Sequence, residues 1–190
     1  MSDLRRLLEA AAALSHLLRV AGVPHTFYGS AFTAVLANSF HSDELFCIVE
    51  SGHHHPFRRV RDALAGNPDY TTMHSPWTNR LHTTYRRLIP AIEIEILVAG
   101  ETGPRHLDSI TVMNVQGIPF LTVSEFVRAK LKTWMIRGLD ADAQDISYTL
   151  SRYWNRVDIN RIPEQDMNHF VSRHTAAAPA WSAIKRKYRM

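Results

Sequence analysis

Leu4, Leu7, Leu8, Ala11, Leu14, Leu17 and Leu18 recur at helical spacing, so residues 4 to 20 read as an amphipathic helix. Gly22 and Pro24 stop it. His25 to Tyr28 is a short β-prone run ending at Gly29-Ser30, and Ser30 is placed to cap a second helix over Ala31 to Ala37. The continuous apolar run Leu45 to Val49 predicts a buried strand. A histidine-rich loop, residues 51 to 56, precedes a helix from Phe57 to Ala65, closed by Gly66-Asn67-Pro68. Strands are expected over Tyr70–Met73, Leu81–Leu88 and Ala91–Val98. In the last, Ile92, Ile94 and Ile96 alternate with Glu93, Glu95 and Leu97, the period of two of a strand. Thr111–Val115 and Ile118–Leu121 read as two more short strands around Gln116-Gly117.

Beyond residue 121 the pattern turns helical. Thr122 or Ser124 caps a helix to about Ile136, with Gly138 as its stop; further helices run from Asp140, Pro163 and Pro179. Mixed strands and helices followed by helices alone predict a small sheet with helices packed on it. No repeat or linker divides the chain, so residues 1–190 read as one domain, with an α/β core over 1–121 and a helical part over 122–190.

Composition narrows the class. A chain of 190 residues that is 45% hydrophobic and 21% charged can bury a sizeable core. Charges interrupt the first helix too often for it to span a bilayer, and no cleavable signal is visible, so a cytoplasmic protein without membrane contact is expected. The lone Cys47 cannot form an internal disulfide and sits in an apolar run, as a core residue does. The net charge of +4 is modest, and much of it lies in Lys185, Arg186, Lys187 and Arg189. These read chiefly as a solvated tail. A phosphate or nucleic-acid contact is the sharper alternative, disfavoured because aromatic residues do not interleave with them in sequence.

Three segments carry candidate chemistry. Phe27-Tyr28-Gly29-Ser30-Ala31-Phe32 links a strand to a helix, where a small residue lets backbone amides approach an anion. Ser42-Asp43-Glu44-Leu45-Phe46-Cys47-Ile48-Val49 leads acids into an apolar strand. Ile92-Glu93-Ile94-Glu95-Ile96-Leu97 places two acids on one strand face. A fourth stretch joins Ile118-Pro119-Phe120 to a helix carrying Lys130, then Arg137, Asp142 and Asp145.

In this order the segments resemble the minimal nucleotidyltransferase superfamily, in particular the branch of nucleotidyltransferase-type toxins of bacterial toxin–antitoxin systems. The resemblance covers roughly residues 20 to 155. It implies an α/β (α+β) fold: a small mixed sheet flanked by helices, with a C-terminal helical bundle. It also implies that Gly29, Ser30 and Lys130 bind a nucleoside triphosphate, and that Glu44 and Glu95 serve as catalytic and metal-binding acids holding Mg²⁺. Glu93 shares the face of Glu95 and could take its place. In the family pattern two carboxylates stand two residues apart on the first acidic strand; here the positions are Glu44 and Phe46, and a phenyl ring ligates no metal. Glu50, farther along that face, is six residues or about 20 Å from Glu44 at strand rise, too far to share an ion. His41 with Asp43, or the loop histidines 53 to 55, offer other ligands, the latter more simply read as solvated.

Two readings follow. One is a degenerate or repurposed member that binds, or does metal-independent chemistry on, a small molecule, in a cleft suited to Phe46, Trp77, Tyr85 and histidines, with no cofactor. The other is an active, Mg²⁺-dependent enzyme moving a nucleoside monophosphate to a small molecule, protein or RNA.

Overall fold

In a computed structural model, residues 3–29, 32, 45–75 and 77–190 are described. Apart from Phe32, the expected helix over Ala31–Ala37, and with it Ser30, His41, Asp43 and Glu44, lies outside the described residues. The chain divides into two compact units, Met1–Leu121 and Thr122–Met190.

The first unit is a seven-stranded mixed sheet with two described helices of a turn or more. Helix α1 (Asp3–Val20) buries Leu7, Ala10, Ala11, Leu14 and Leu18. Strands β1 (His25–Tyr28), β2 (Leu45–Val49), β3 (Tyr70–Ser75), β4 (Arg80–Tyr85), β5 (Ile92–Val98), β6 (Val112–Val115) and β7 (Ile118–Leu121) lie in the order β3-β4-β5-β2-β1-β7-β6. The β2–β5 and β1–β7 pairs are parallel, the others antiparallel. Helix α2 (Pro56–Leu64) starts on Pro56, and the His55 ring accepts the Phe57 N–H at 3.2 Å as its cap.

Both helices pack on the sheet face built by Leu45, Cys47, Val49, Ile92, Ile94 and Ile96, all buried. The strand period of two therefore sends Phe46, Glu93 and Glu95 to the other face. Strand β4 is shorter than its apolar sequence predicts. The Arg86 N–H still reaches the Asp69 carbonyl at 2.8 Å in the β3–β4 register and its guanidinium bonds the Pro68 carbonyl at 2.7 Å, but the chain turns from Arg86 onward and the strand ends at Tyr85. Leu88 and Ile89, expected in or beside the strand, fall in a turn where Ile89 is fully in solvent.

The second unit is helical. Helix α3 (Val123–Arg137) is capped by the Thr122 hydroxyl, which accepts the Glu125 N–H, and ends on Gly138 in the left-handed region, φ 64°. Ser124, the other expected cap, instead accepts the Asp158 N–H at 2.8 Å. Helix α4 (Asp140–Tyr153), 3-10 turns at Trp154–Arg156, Ile159–Arg161 and Thr175–Ala177, helix α5 (Glu164–Arg173) and helix α6 (Ala178–Lys187) complete it. Its core holds Phe126, Leu131, Ile146, Leu150, Met167, Phe170 and Ile184. Among the described residues, no helix is long and apolar enough to cross a membrane.

Candidate functional site

Strand register decides which side chains meet. On β1, β2, β5 and β4 the residues Tyr28, Phe46, Glu95 and His82 are direct cross-strand partners, so they form one row on the face away from α1 and α2. The row continues to the exposed Met73 on β3.

Two diagonal contacts, an ion pair and an imidazole–carboxylate contact, cross the β4–β5 ladder. Arg80 places Nη1 2.9 Å from Glu95 Oε1, and His82 places Nδ1 2.9 Å from Glu93 Oε1. The Glu95 side chain is largely enclosed, at 12% exposure, and a guanidinium already answers its charge. Phe46 stands beside it, tilted 55° to the Tyr28 ring at 6.4 Å.

Gly29 meets the same phenyl ring. Its φ of +96° suits glycine, and a Cβ added there would lie 2.6 Å from Phe46 Cδ2. The glycine bend and Glu95 thus sit on one side of the sheet, with Phe46 between them. A cleft of about 590 Å³ opens beside Phe46 and reaches both sheet faces: Phe46, His82, Glu93 and Glu95 line it from one, Leu45 and Ile92 with Asp3 and Arg6 of α1 from the other. Arg6 bonds the Pro90 carbonyl and pairs with Asp3 at 3.5 Å, which fixes that wall.

Not all the sequence candidates gather. Tyr85 faces the helix side, where it packs on Tyr70 at 5.2 Å, and Trp77 stands 95% exposed. Neither joins Phe46. Glu50 accepts the Leu107 N–H at 2.8 Å and faces His106 at 3.4 Å, so it anchors the segment after β5. His53 and His54 are exposed, while His55 caps α2.

Lys130, in the second unit, is 8% exposed and held between two acids of α4, Asp142 and Asp145, each 3.0 Å from Nζ. Its charge is spent within its own unit on these partners.

A divalent metal of the kind the resemblance implies needs several anionic or imidazole ligands converging on one point. Among the described residues no three His, Cys, Asp or Glu side chains do so. Glu95 is engaged by Arg80. Asp43 and Glu44 lie outside the described residues; among the described ones, the β2 residue in register with Glu95 is a phenylalanine.

Arg80, His82, Asp3 and Arg6 were missed by reasoning from sequence. The alternation Arg80-Leu81-His82-Thr83 marks a strand with one polar face, but only the β4–β5 register shows that this face meets Glu93 and Glu95.

No protein-family model matches the sequence, and no curated protein matches it. Solved structures do. An antigenic nucleotidyltransferase-like protein from Paracoccidioides brasiliensis aligns with a TM-score of 0.66 at 15% identity, over 93% of this chain and 92% of that one. JHP933 from Helicobacter pylori aligns at 0.56 and 12% identity, over 95% and 96%. Another H. pylori protein, provisionally assigned as a nucleotidyltransferase, aligns at 0.57 and 12%, over 97% and 84%. With its strand order and nearly full-length alignment to these proteins, the chain has the nucleotidyltransferase fold.

Proposed function

We propose that this chain uses the nucleotidyltransferase fold to bind a small organic ligand in the Phe46–Glu95 cleft, with no divalent metal. The observation that carries the reading is the row Phe46–Glu95–His82. A phenyl ring occupies the in-register place beside the acid and covers Gly29, and an arginine answers the acid's charge. Apolar surface with a few convergent polar groups is what small-molecule sites present. Phe46 supplies a flat apolar wall, the Glu95–Arg80 pair gives one acceptor and several donors at its edge, and the Glu93-held imidazole gives another polar contact.

Calorimetric titration tests this. Nucleoside triphosphates, and small-molecule fragments carrying a planar ring, are titrated with Mg²⁺ and again with a chelator. The reading expects ligands whose affinity is unchanged by chelation and reduced by Arg80→Ala. It expects Phe46→Asp to move the protein toward metal-dependent nucleotide binding, because that change returns a carboxylate to the place beside Glu95. Triphosphate binding by the unaltered protein that requires Mg²⁺ and is lost in Glu95→Ala would overturn it in favour of an active enzyme.

A further inference from the structure

The two units differ in charge. Residues 122–190 carry twelve Lys and Arg against seven Asp and Glu, a net +5, whereas residues 1–121 carry ten against eleven, a net −1. The entire positive excess of the chain belongs to the helical unit. Part of it is concentrated where the last turn of α6 packs on the 3-10 turn Trp154–Arg156.

At that junction lies an open groove of about 500 Å³, walled by Trp154, Asn155, Ala183, Arg186 and Lys187. Trp154 is 37% exposed, which leaves part of a large ring in contact with water. Lys187 donates to the Asn155 carbonyl at 2.8 Å, which pins the cationic helix end to the turn that bears the indole. Arg156 reaches over the Tyr153 ring at 5.8 Å beside it. Among the described residues, Arg156, Lys185, Arg186, Lys187 and Arg189 form no ion pair with a carboxylate.

Cations at a helix C-terminus stabilise the helix by themselves, through the carbonyl end of its dipole. That accounts for Lys185, Arg186 and Lys187 but not for a part-exposed indole set in the same groove with no acid to answer the charge. Indole faces and unpaired cations side by side are what a single strand of nucleic acid needs: a base stacks on the ring while its phosphates meet the cations. In sequence Trp154 stands some thirty residues before these cations, and the fold brings them together.

From this juxtaposition we infer that the groove between Trp154 and the end of α6 binds single-stranded nucleic acid, by stacking one base on Trp154 and holding adjacent phosphates with Arg186, Lys187 and Arg189. The inference rests on the helical unit alone and is independent of the ligand of the cleft.

Fluorescence anisotropy of the full chain with a labelled oligo-deoxythymidylate tests it, with heparin and phosphatidylserine vesicles as base-free anionic comparators. Binding is expected to weaken with salt, with a log–log slope of about 2, as about three single-strand phosphate contacts give. Arg186→Ser with Arg189→Ser should weaken oligonucleotide and heparin together. Trp154→Ala should weaken the oligonucleotide by about tenfold, with heparin unchanged and Trp154→Phe restoring most of the affinity. Circular dichroism of each variant separates loss of binding from loss of fold. No oligonucleotide binding at low salt overturns the inference. So does an equal loss for heparin and oligonucleotide in folded Trp154→Ala, or tighter binding to the vesicles than to the oligonucleotide.

Discussion

Phe46 covers Gly29: the ring lies so close to the glycine α-carbon that a methyl group there would stand 2.6 Å from Cδ2. The β2 residue in register with Glu95 is thus also the one that closes over the bend after β1. The two sequence positions are parts of one packed contact.

Gly29→Ala should therefore destabilise the first unit twice over, through a side chain at φ +96° and through overlap with Phe46. A loss of roughly 2 kcal/mol or more is expected in urea unfolding. Adding Phe46→Ala should recover the overlap part and leave the backbone part, so the double variant will be more stable than the sum of the single effects. Strict additivity would mean that the two residues do not touch.

Lys130→Met should be costly. It removes the cation between Asp142 and Asp145 and leaves two enclosed carboxylates facing each other. Breaking one side of such a pair costs about 3–5 kcal/mol. Asp142→Asn in the same chain should restore part of the loss, because it takes one of the orphaned charges away. Thermal unfolding followed by circular dichroism reads both effects.

His25 sets a pH dependence. Its ring accepts or donates at 2.7 Å to the Ser15 hydroxyl and lies 2.8 Å from the Val23 carbonyl, nearly out of solvent. Burial is the main cause that lowers its pKa below the ordinary 6.5; the Val23 carbonyl opposes this, and the Arg19 charge adds to it. The unfolded chain then binds a proton at a higher pH than the folded one. Stability contributed by neutral His25 is complete above pH 6.5 and falls as the pH drops toward the lowered value. Urea midpoints measured on the acid side of neutrality should decline for the natural chain, and His25→Gln should lose that part of the decline. An unchanged slope in the variant would assign it to other groups.

Cys47 should resist thiol reagents. Burial pushes its pKa far above the usual thiol range, and no part of the side chain reaches solvent. Only the thiolate reacts readily. Labelling by a disulfide reagent should be slow in buffer and fast in denaturant, with a native rate that follows the opening of the sheet.

How far the sequence discloses this protein depends on the range of each interaction. Periodicity within ten residues suffices for α1, for the alternation Ile92-Glu93-Ile94-Glu95 and for the stop at Gly138, because each is a local pattern. It misleads at the end of β4, where the sequence up to Leu88 suggests a longer strand but the chain turns after Tyr85, with the Arg86 guanidinium on the Pro68 carbonyl. That position 46 carries a phenylalanine is visible in the string of residues. What stands against Glu95 is not, since Arg80 reaches it only through the β4–β5 register. Lys130 illustrates the same limit: its helix and basic charge are legible, but its two acids come from the next helix.

The strand order bears on how the first unit assembles. The meander β3-β4-β5 joins neighbours in sequence and closes through short turns. The two parallel pairings, β2 with β5 and β1 with β7, join segments separated by roughly fifty and ninety residues. Distant pairings of this kind are the slow steps of sheet formation. The topology accordingly predicts slower folding than local pairings alone would give, because the middle of the sheet joins only through these distant contacts.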